Sequence, residues 1–86
     1  MLNKNFEYCL ILERNCDSSN KTTALCQRFN LNFETIYKSD LSTEELSIMT
    51  PLNHRGIVII YQNGQYFGNY WDLLEFCNNN VYLGFS

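Results

Sequence analysis

The chain opens its ordered pattern with Glu7-Tyr8-Cys9-Leu10-Ile11-Leu12, a near-continuous apolar run bounded by charge. Such a run reads as a strand buried on both faces. The polar, turn-prone stretch Glu13-Arg14-Asn15-Cys16-Asp17-Ser18-Ser19 follows. From Ser18 to Phe29 the pattern turns helical, with Thr22, Leu25, Cys26 and Phe29 at i, i+3, i+4 and i+7. Asp17 or Ser18 is placed to cap its first N–H groups, and Asn30-Leu31-Asn32 ends it. Phe33-Glu34-Thr35-Ile36-Tyr37 then alternates like a strand with one face inward.

The second half carries stronger local signatures. Ser42-Thr43-Glu44-Glu45 is a capping box, with Leu41 and Leu46 at the positions of a hydrophobic staple. A short helix should run from Thr43 to about Met49, and Pro51 marks its end. Gly56-Ile57-Val58-Ile59-Ile60-Tyr61 is the most strand-like stretch, and Asn63-Gly64 is a strong two-residue hairpin signal. Gln65-Tyr66-Phe67 supplies the returning strand, and Gly68 breaks it. Asn69 is placed to cap a last helix, with Tyr70, Leu73, Leu74 and Cys77 as its buried stripe and Asp72 in its first turn. Asn78-Asn79-Asn80 should stop that helix, leaving Val81-Tyr82-Leu83-Gly84-Phe85-Ser86 as an apolar tail without an assigned element.

The order is therefore β-α-β-α-β-β-α. A βαβ unit makes its two strands parallel with a right-handed crossover. The hairpin adds two antiparallel strands, giving one mixed four-stranded sheet flanked by three helices, an α/β fold.

Composition narrows the picture further. At 86 residues the chain is one domain, 1–86. With 45% hydrophobic and 17% charged residues it belongs to the globular class, not the disordered one. A net charge of -3 argues against a nucleic-acid partner, which calls for a basic stripe. No apolar run approaches the ~20 residues that span a bilayer, and the first residues lack the apolar stretch of a secretory signal. The expectation is a soluble, cytoplasmic protein with no membrane association.

The four cysteines, Cys9, Cys16, Cys26 and Cys77, fit reduced thiols better than two disulfides. Cys9, Cys26 and Cys77 fall on inward-facing positions, where a thiol behaves as a small hydrophobe. No pair has C-x₂-C spacing and His54 is the only imidazole, so no metal site is expected. Cys16 stands apart, at the head of the first helix, where free N–H groups and the helix dipole favour a thiolate.

A cysteine in the loop between the first strand and first helix of this order resembles the glutaredoxin branch of the thioredoxin-like fold. Beyond Cys16, the resemblance rests on three segments and covers about Phe6 to Asn78. Asn32-Phe33-Glu34-Thr35-Ile36 is similar to the family's second strand. Ile59-Ile60-Tyr61-Gln62-Asn63-Gly64-Gln65-Tyr66-Phe67-Gly68 is similar to its hairpin. Gly68-Asn69-Tyr70-Trp71-Asp72-Leu73-Leu74 is similar to the start of its last helix.

The departures are specific. The family's C-P-Y-C becomes Cys16-Asp17-Ser18-Ser19, so Ser19 holds the resolving position. Val58 stands where the family has a cis-proline, and the bond before it should be trans, since a cis bond there costs ~2.5–4 kcal/mol. The family's lysine ahead of the nucleophile is Glu13 here, with Arg14 as its nearest substitute.

The resemblance implies a glutathione-dependent thiol–disulfide oxidoreductase acting through Cys16 alone, with glutathione as cosubstrate and glutathionylated or disulfide-containing proteins as partners. It implies glutathione contacts at Arg14, Ile57, Val58 and Asp72. Asp72 is also explained as a helix-stabilising first-turn acid, and Trp71 either lines the groove or covers an apolar surface. The alternative function is a redox-inactive thioredoxin-like module that binds a protein partner through the same groove or through the aromatic tail.

Overall fold

β1 (Tyr8–Leu12) lies at the centre because every one of its side chains has somewhere to be buried. The computed structural model describes residues 5–84, and side chains as far as residue 79. The sheet order is β2-β1-β3-β4. β2 (Phe33–Tyr37) runs parallel to β1, pairing Tyr8 with Phe33 and Leu12 with Tyr37. β3 (Ile59–Gln62) runs antiparallel on its other side, with Ile11 opposite Ile59. β4 (Gln65–Gly68) closes the hairpin, with a register shift between Ile60 and Tyr61.

The two-residue period of β1 divides the core. Tyr8, Leu10 and Leu12 join Leu25, Cys26, Val58, Ile60, Leu73 and Cys77 on one face, under α1 (Asp17–Arg28) and α3 (Tyr70–Gly84). Cys9 and Ile11 join Met49 and Ile59 on the other, under α2 (Thr43–Met49). That is why the β1 sequence shows no polar alternation: both faces are covered.

Local chemistry sets most element ends. The capping box of α2 is complete: the Glu45 N–H donates to Ser42 Oγ at 3.0 Å, and the Ser42 N–H donates to Glu45 Oε1 at 2.9 Å. The two Ser42 donors hold the Glu45 carboxyl below its ordinary value. Leu41 and Leu46 both pack on the smaller core cluster, as a staple requires. Asn63 and Gly64 have φ of 51° and 82°, the two positive values that a type I′ turn needs. Asn30, at φ 54°, ends α1 in a Schellman arrangement, with the Leu31 N–H donating to the Cys26 carbonyl at 2.9 Å.

Three sequence expectations are corrected. The N-cap of α1 is Cys16, not Asp17 or Ser18, and no side chain caps it. β3 begins at Ile59 rather than Gly56, because pairing with β1 starts only there. α3 continues through Asn78-Asn79-Asn80 to Gly84. Asparagine lowers helix propensity by only ~0.7 kcal/mol or less per residue, too little to stop a docked helix without a glycine or proline. Phe85 and Ser86 lie outside the described residues. No described helix is long and apolar enough to cross a membrane.

Candidate functional site

The loop Glu13–Asn15 carries the chain from β1 to α1, turning at Asn15 with φ 54°. It delivers Cys16 to the helix end with an extended backbone, φ -125° and ψ 130°. Cys16 is partly exposed, whereas Cys9, Cys26 and Cys77 are buried, and all four are free thiols. Burial pushes the Cys9 thiol up to about 11 and the Cys26 thiol up to about 12, with Cys77 adding to the latter. It also raises the Cys77 thiol.

Cys16 moves the other way. Its thiol is held below the ordinary value, first by the Ser19 backbone N–H and then by the Ser18 N–H and the Ser19 hydroxyl. Desolvation and the Glu13 charge oppose this without reversing it. Ser19 is only 3% exposed, and its Oγ accepts the Glu13 N–H at 2.9 Å. The hydroxyl therefore spends its acceptor on the loop and leaves its proton for the sulfur.

A small groove of about 70 Å³ opens beside the first turns of α1. Ser18 and Lys21 of α1 form one wall, Gly56-Ile57-Val58 another, and Asn69, Tyr70 and Trp71 at the start of α3 the third. Ile57 is 41% exposed there, but Val58 is buried in the core, so only its backbone is offered to a ligand. No peptide bond among the described residues is cis, so the bond before Val58 is trans, as its sequence implies. Trp71 lines the groove at 69% exposure, with its ring edge-on to Tyr70 at 5.3 Å.

Asp72 has a structural occupation. Its Oδ2 accepts the Asn69 N–H at 2.9 Å, and the Asp72 N–H donates to Asn69 Oδ1 at 3.0 Å, a second capping box. Gly68, at φ 152°, leaves the space that this carboxylate fills, and a Cβ there would collide with it.

Arg14 is not brought into the groove. It turns to the β2 side of the loop, where its guanidinium meets Asp40 Oδ2 at 3.3 Å and Ser39 Oγ at 3.2 Å. Its Cζ also sits 4.1 Å from the centre of the Tyr37 ring. A separate polar cleft of about 410 Å³ opens on that side, between the loop, α1 and Tyr37. The sequence-derived ligand set thus divides: Ile57 and Val58 are in the groove, Asp72 serves the helix cap, and Arg14 faces away. Ser18, Lys21, Gly56, Asn69, Tyr70 and Trp71 also line the groove and lie outside that set. Lys21 was findable, since it lies three residues from Ser18 and hence on the same helix face. Among the described residues, no group of three or more His, Cys, Asp or Glu side chains is arranged to hold a metal.

No family model matches the chain, and no curated protein does. Solved structures do. The solution structure of the dithiolic glutaredoxin 2-C-Grx1 from Trypanosoma brucei brucei superposes with a TM-score of 0.72 at 19% identity, covering 90% of this chain and 82% of that one. A wheat glutaredoxin crystal structure gives 0.69 at 17% identity, over 84% of this chain and 73% of that one. The chain therefore has the glutaredoxin-like form of the thioredoxin-like fold, with an accessible cysteine at the head of its first helix.

Proposed function

We propose that the protein is a glutathione-dependent thiol–disulfide oxidoreductase that works through Cys16 alone. The observation that carries this reading is the placement of Cys16 as a partly exposed free thiol at the head of α1, where the Ser18 and Ser19 N–H groups and the Ser19 hydroxyl hold it below its ordinary value, two residues before Ser18 in the wall of a small groove. A thiolate is the nucleophile in disulfide exchange, and a lowered thiol value raises its share at neutral pH.

The cycle needs one protein thiol. The Cys16 thiolate attacks the glutathione sulfur of a glutathionylated protein, forming a Cys16–glutathione disulfide and expelling the substrate cysteine as a thiolate. A second glutathione thiolate then attacks the glutathione sulfur of that disulfide, releasing glutathione disulfide and restoring the Cys16 thiolate. The substrate cysteine is reduced to a thiol and one glutathione thiol is oxidised, leaving as glutathione disulfide together with the glutathionyl group already carried by the substrate. Ser19 has no sulfur with which to intercept the intermediate, which supports the monothiol form. The backbone at Ile57 and Val58 is the wall suited to hold the tripeptide. On this reading the protein works in the reducing cytoplasm, where glutathione is abundant.

Mass spectrometry after incubation with a glutathione mixed disulfide tests this directly. One glutathionyl adduct at Cys16, absent in Cys16→Ser, is the expected result. An unmodified Cys16 would sink the enzymatic reading and leave the protein-binding one. That second reading is favoured by the 69% exposure of Trp71 and the 41% exposure of Ile57 in the same groove.

A further inference from the structure

The groove wall at Gly56-Ile57-Val58 follows Arg55 and precedes the sheet ladder, whose pairing with β1 begins only at Ile59. Gly56 sits at φ 93°, so this segment is a turn and not an extension of β3. It is tied to α3 from outside the ladder: Asn69 Nδ2 donates to the Arg55 carbonyl at 3.0 Å. Gly56 faces the same side chain, and a Cβ on it would stand 3.6 Å from Asn69 Cβ. The other end of the Asn69 amide is already engaged, with Oδ1 accepting the Asp72 N–H at 3.0 Å. One side-chain amide therefore both caps α3 and holds the opposite wall of the groove against it.

We propose that Asn69 is a positioning residue for the groove. Through the Arg55 carbonyl it fixes where the Ile57 and Val58 backbone stands relative to Tyr70 and Trp71, and so sets affinity for the peptide portion of the glutathionyl substrate. This rests on the glutathione reading above. The two tasks of the amide separate cleanly by chemistry. Serine is as good an N-cap as asparagine, while glycine caps only slightly less well. Neither carries a donor that reaches the Arg55 carbonyl.

The experiment compares wild type, Asn69→Ser and Asn69→Gly. The readouts are steady-state kinetics on a glutathionylated peptide, the pH profile of Cys16 alkylation, and amide hydrogen exchange at residues 55–58. Loss of one hydrogen bond of ordinary strength predicts a KM about five-fold higher in both variants, with kcat and the alkylation profile retained. Exchange at residues 55–58 should quicken equally in both. Asn69→Ser with wild-type KM and wild-type exchange overturns the proposal, because capping alone would then account for the residue. Quickened exchange with unchanged KM also overturns it, since the wall would move without consequence for the ligand. A wild-type protein that does not turn over the peptide removes the glutathione reading. The clamp is then decided by exchange: faster in Asn69→Ser supports it, and unchanged exchange rejects it.

Discussion

Replacing Ser19 with alanine removes two interactions at once, and they report on different things. Ser19 is 3% exposed, and its Oγ accepts the Glu13 N–H at 2.9 Å. Without it that part-buried amide loses its partner, which costs about 1–3 kcal/mol. In a domain of this size each kcal/mol shifts Tm by ~4–8 °C, so thermal unfolding should move down measurably. The second loss is the hydroxyl donor to the Cys16 sulfur. The backbone donors from Ser19 and Ser18 remain, so the thiol should rise toward its ordinary value without reaching it.

Iodoacetamide alkylation of Cys16 against pH reads that shift, and calorimetry or circular dichroism reads Tm. The two are linked by sign. A thiol lowered on folding stabilises the folded state fully above its unfolded value of ~8.5, and that contribution is lost as pH falls through the folded value. The difference in Tm between wild type and Ser19→Ala should therefore be larger at pH 9 than at pH 5. An alkylation midpoint unmoved by Ser19→Ala would refute the assignment of the hydroxyl to the sulfur. An equal Tm difference at both pH values would refute the linkage.

Other outcomes follow from the same geometry. Gly68→Ala forces a side chain into φ 152° and against the Asp72 carboxylate, so it should destabilise by about 1–3 kcal/mol, measured by urea unfolding. Arg14→Ala should leave glutathione KM unchanged, because the guanidinium is spent on Asp40, Ser39 and Tyr37. Its exposed ion pair should cost at most ~1 kcal/mol of stability. Cys9, Cys26 and Tyr8 are raised to about 11, 12 and 12, chiefly by burial. Their stabilising contribution is complete below the unfolded values and lost as pH rises, so urea midpoints should fall from about pH 9 upward. A flat alkaline limb would contradict the burial of these groups.

The parts of this fold that could be read from sequence are those decided by near neighbours in the chain. Ser42 and Glu45 are three residues apart, Asn63 and Gly64 adjacent, and the α1 stripe recurs every turn. Each interaction is complete within one element, so its signature survives in the sequence. Arg14 shows the opposite case. Its partners Ser39 and Asp40 lie 25 and 26 residues away, and nothing local to Arg14 distinguishes an arginine aimed at them from one aimed at the groove. Asn69 was legible as a cap but not as a clamp, because the Arg55 carbonyl is 14 residues back. The N-cap of α1 fell on Cys16 although Asp17 and Ser18 are better cappers. The Ser19 bond to Glu13 fixes the loop there and overrides capping preference. The sequence understates the length of α3 for a related reason, since packing and not propensity decides where a docked helix ends.

The split core gives the molecule a built-in clock. On the α2 face, the buried cluster is Cys9, Ile11, Met49 and Ile59, roofed by a helix of only seven residues. The face under α1 and α3 buries a larger set. Segments with less buried apolar surface open at lower free energy than the whole domain. Lifting α2 uncovers Cys9 and leaves Cys26 and Cys77 sealed. Under native conditions a slow thiol reagent should thus mark Cys16 at once, Cys9 at the pace of α2 opening, and Cys26 and Cys77 only on global unfolding. Three populations of one atom type, resolved in time, would chart the hierarchy of motions in this domain without any introduced probe.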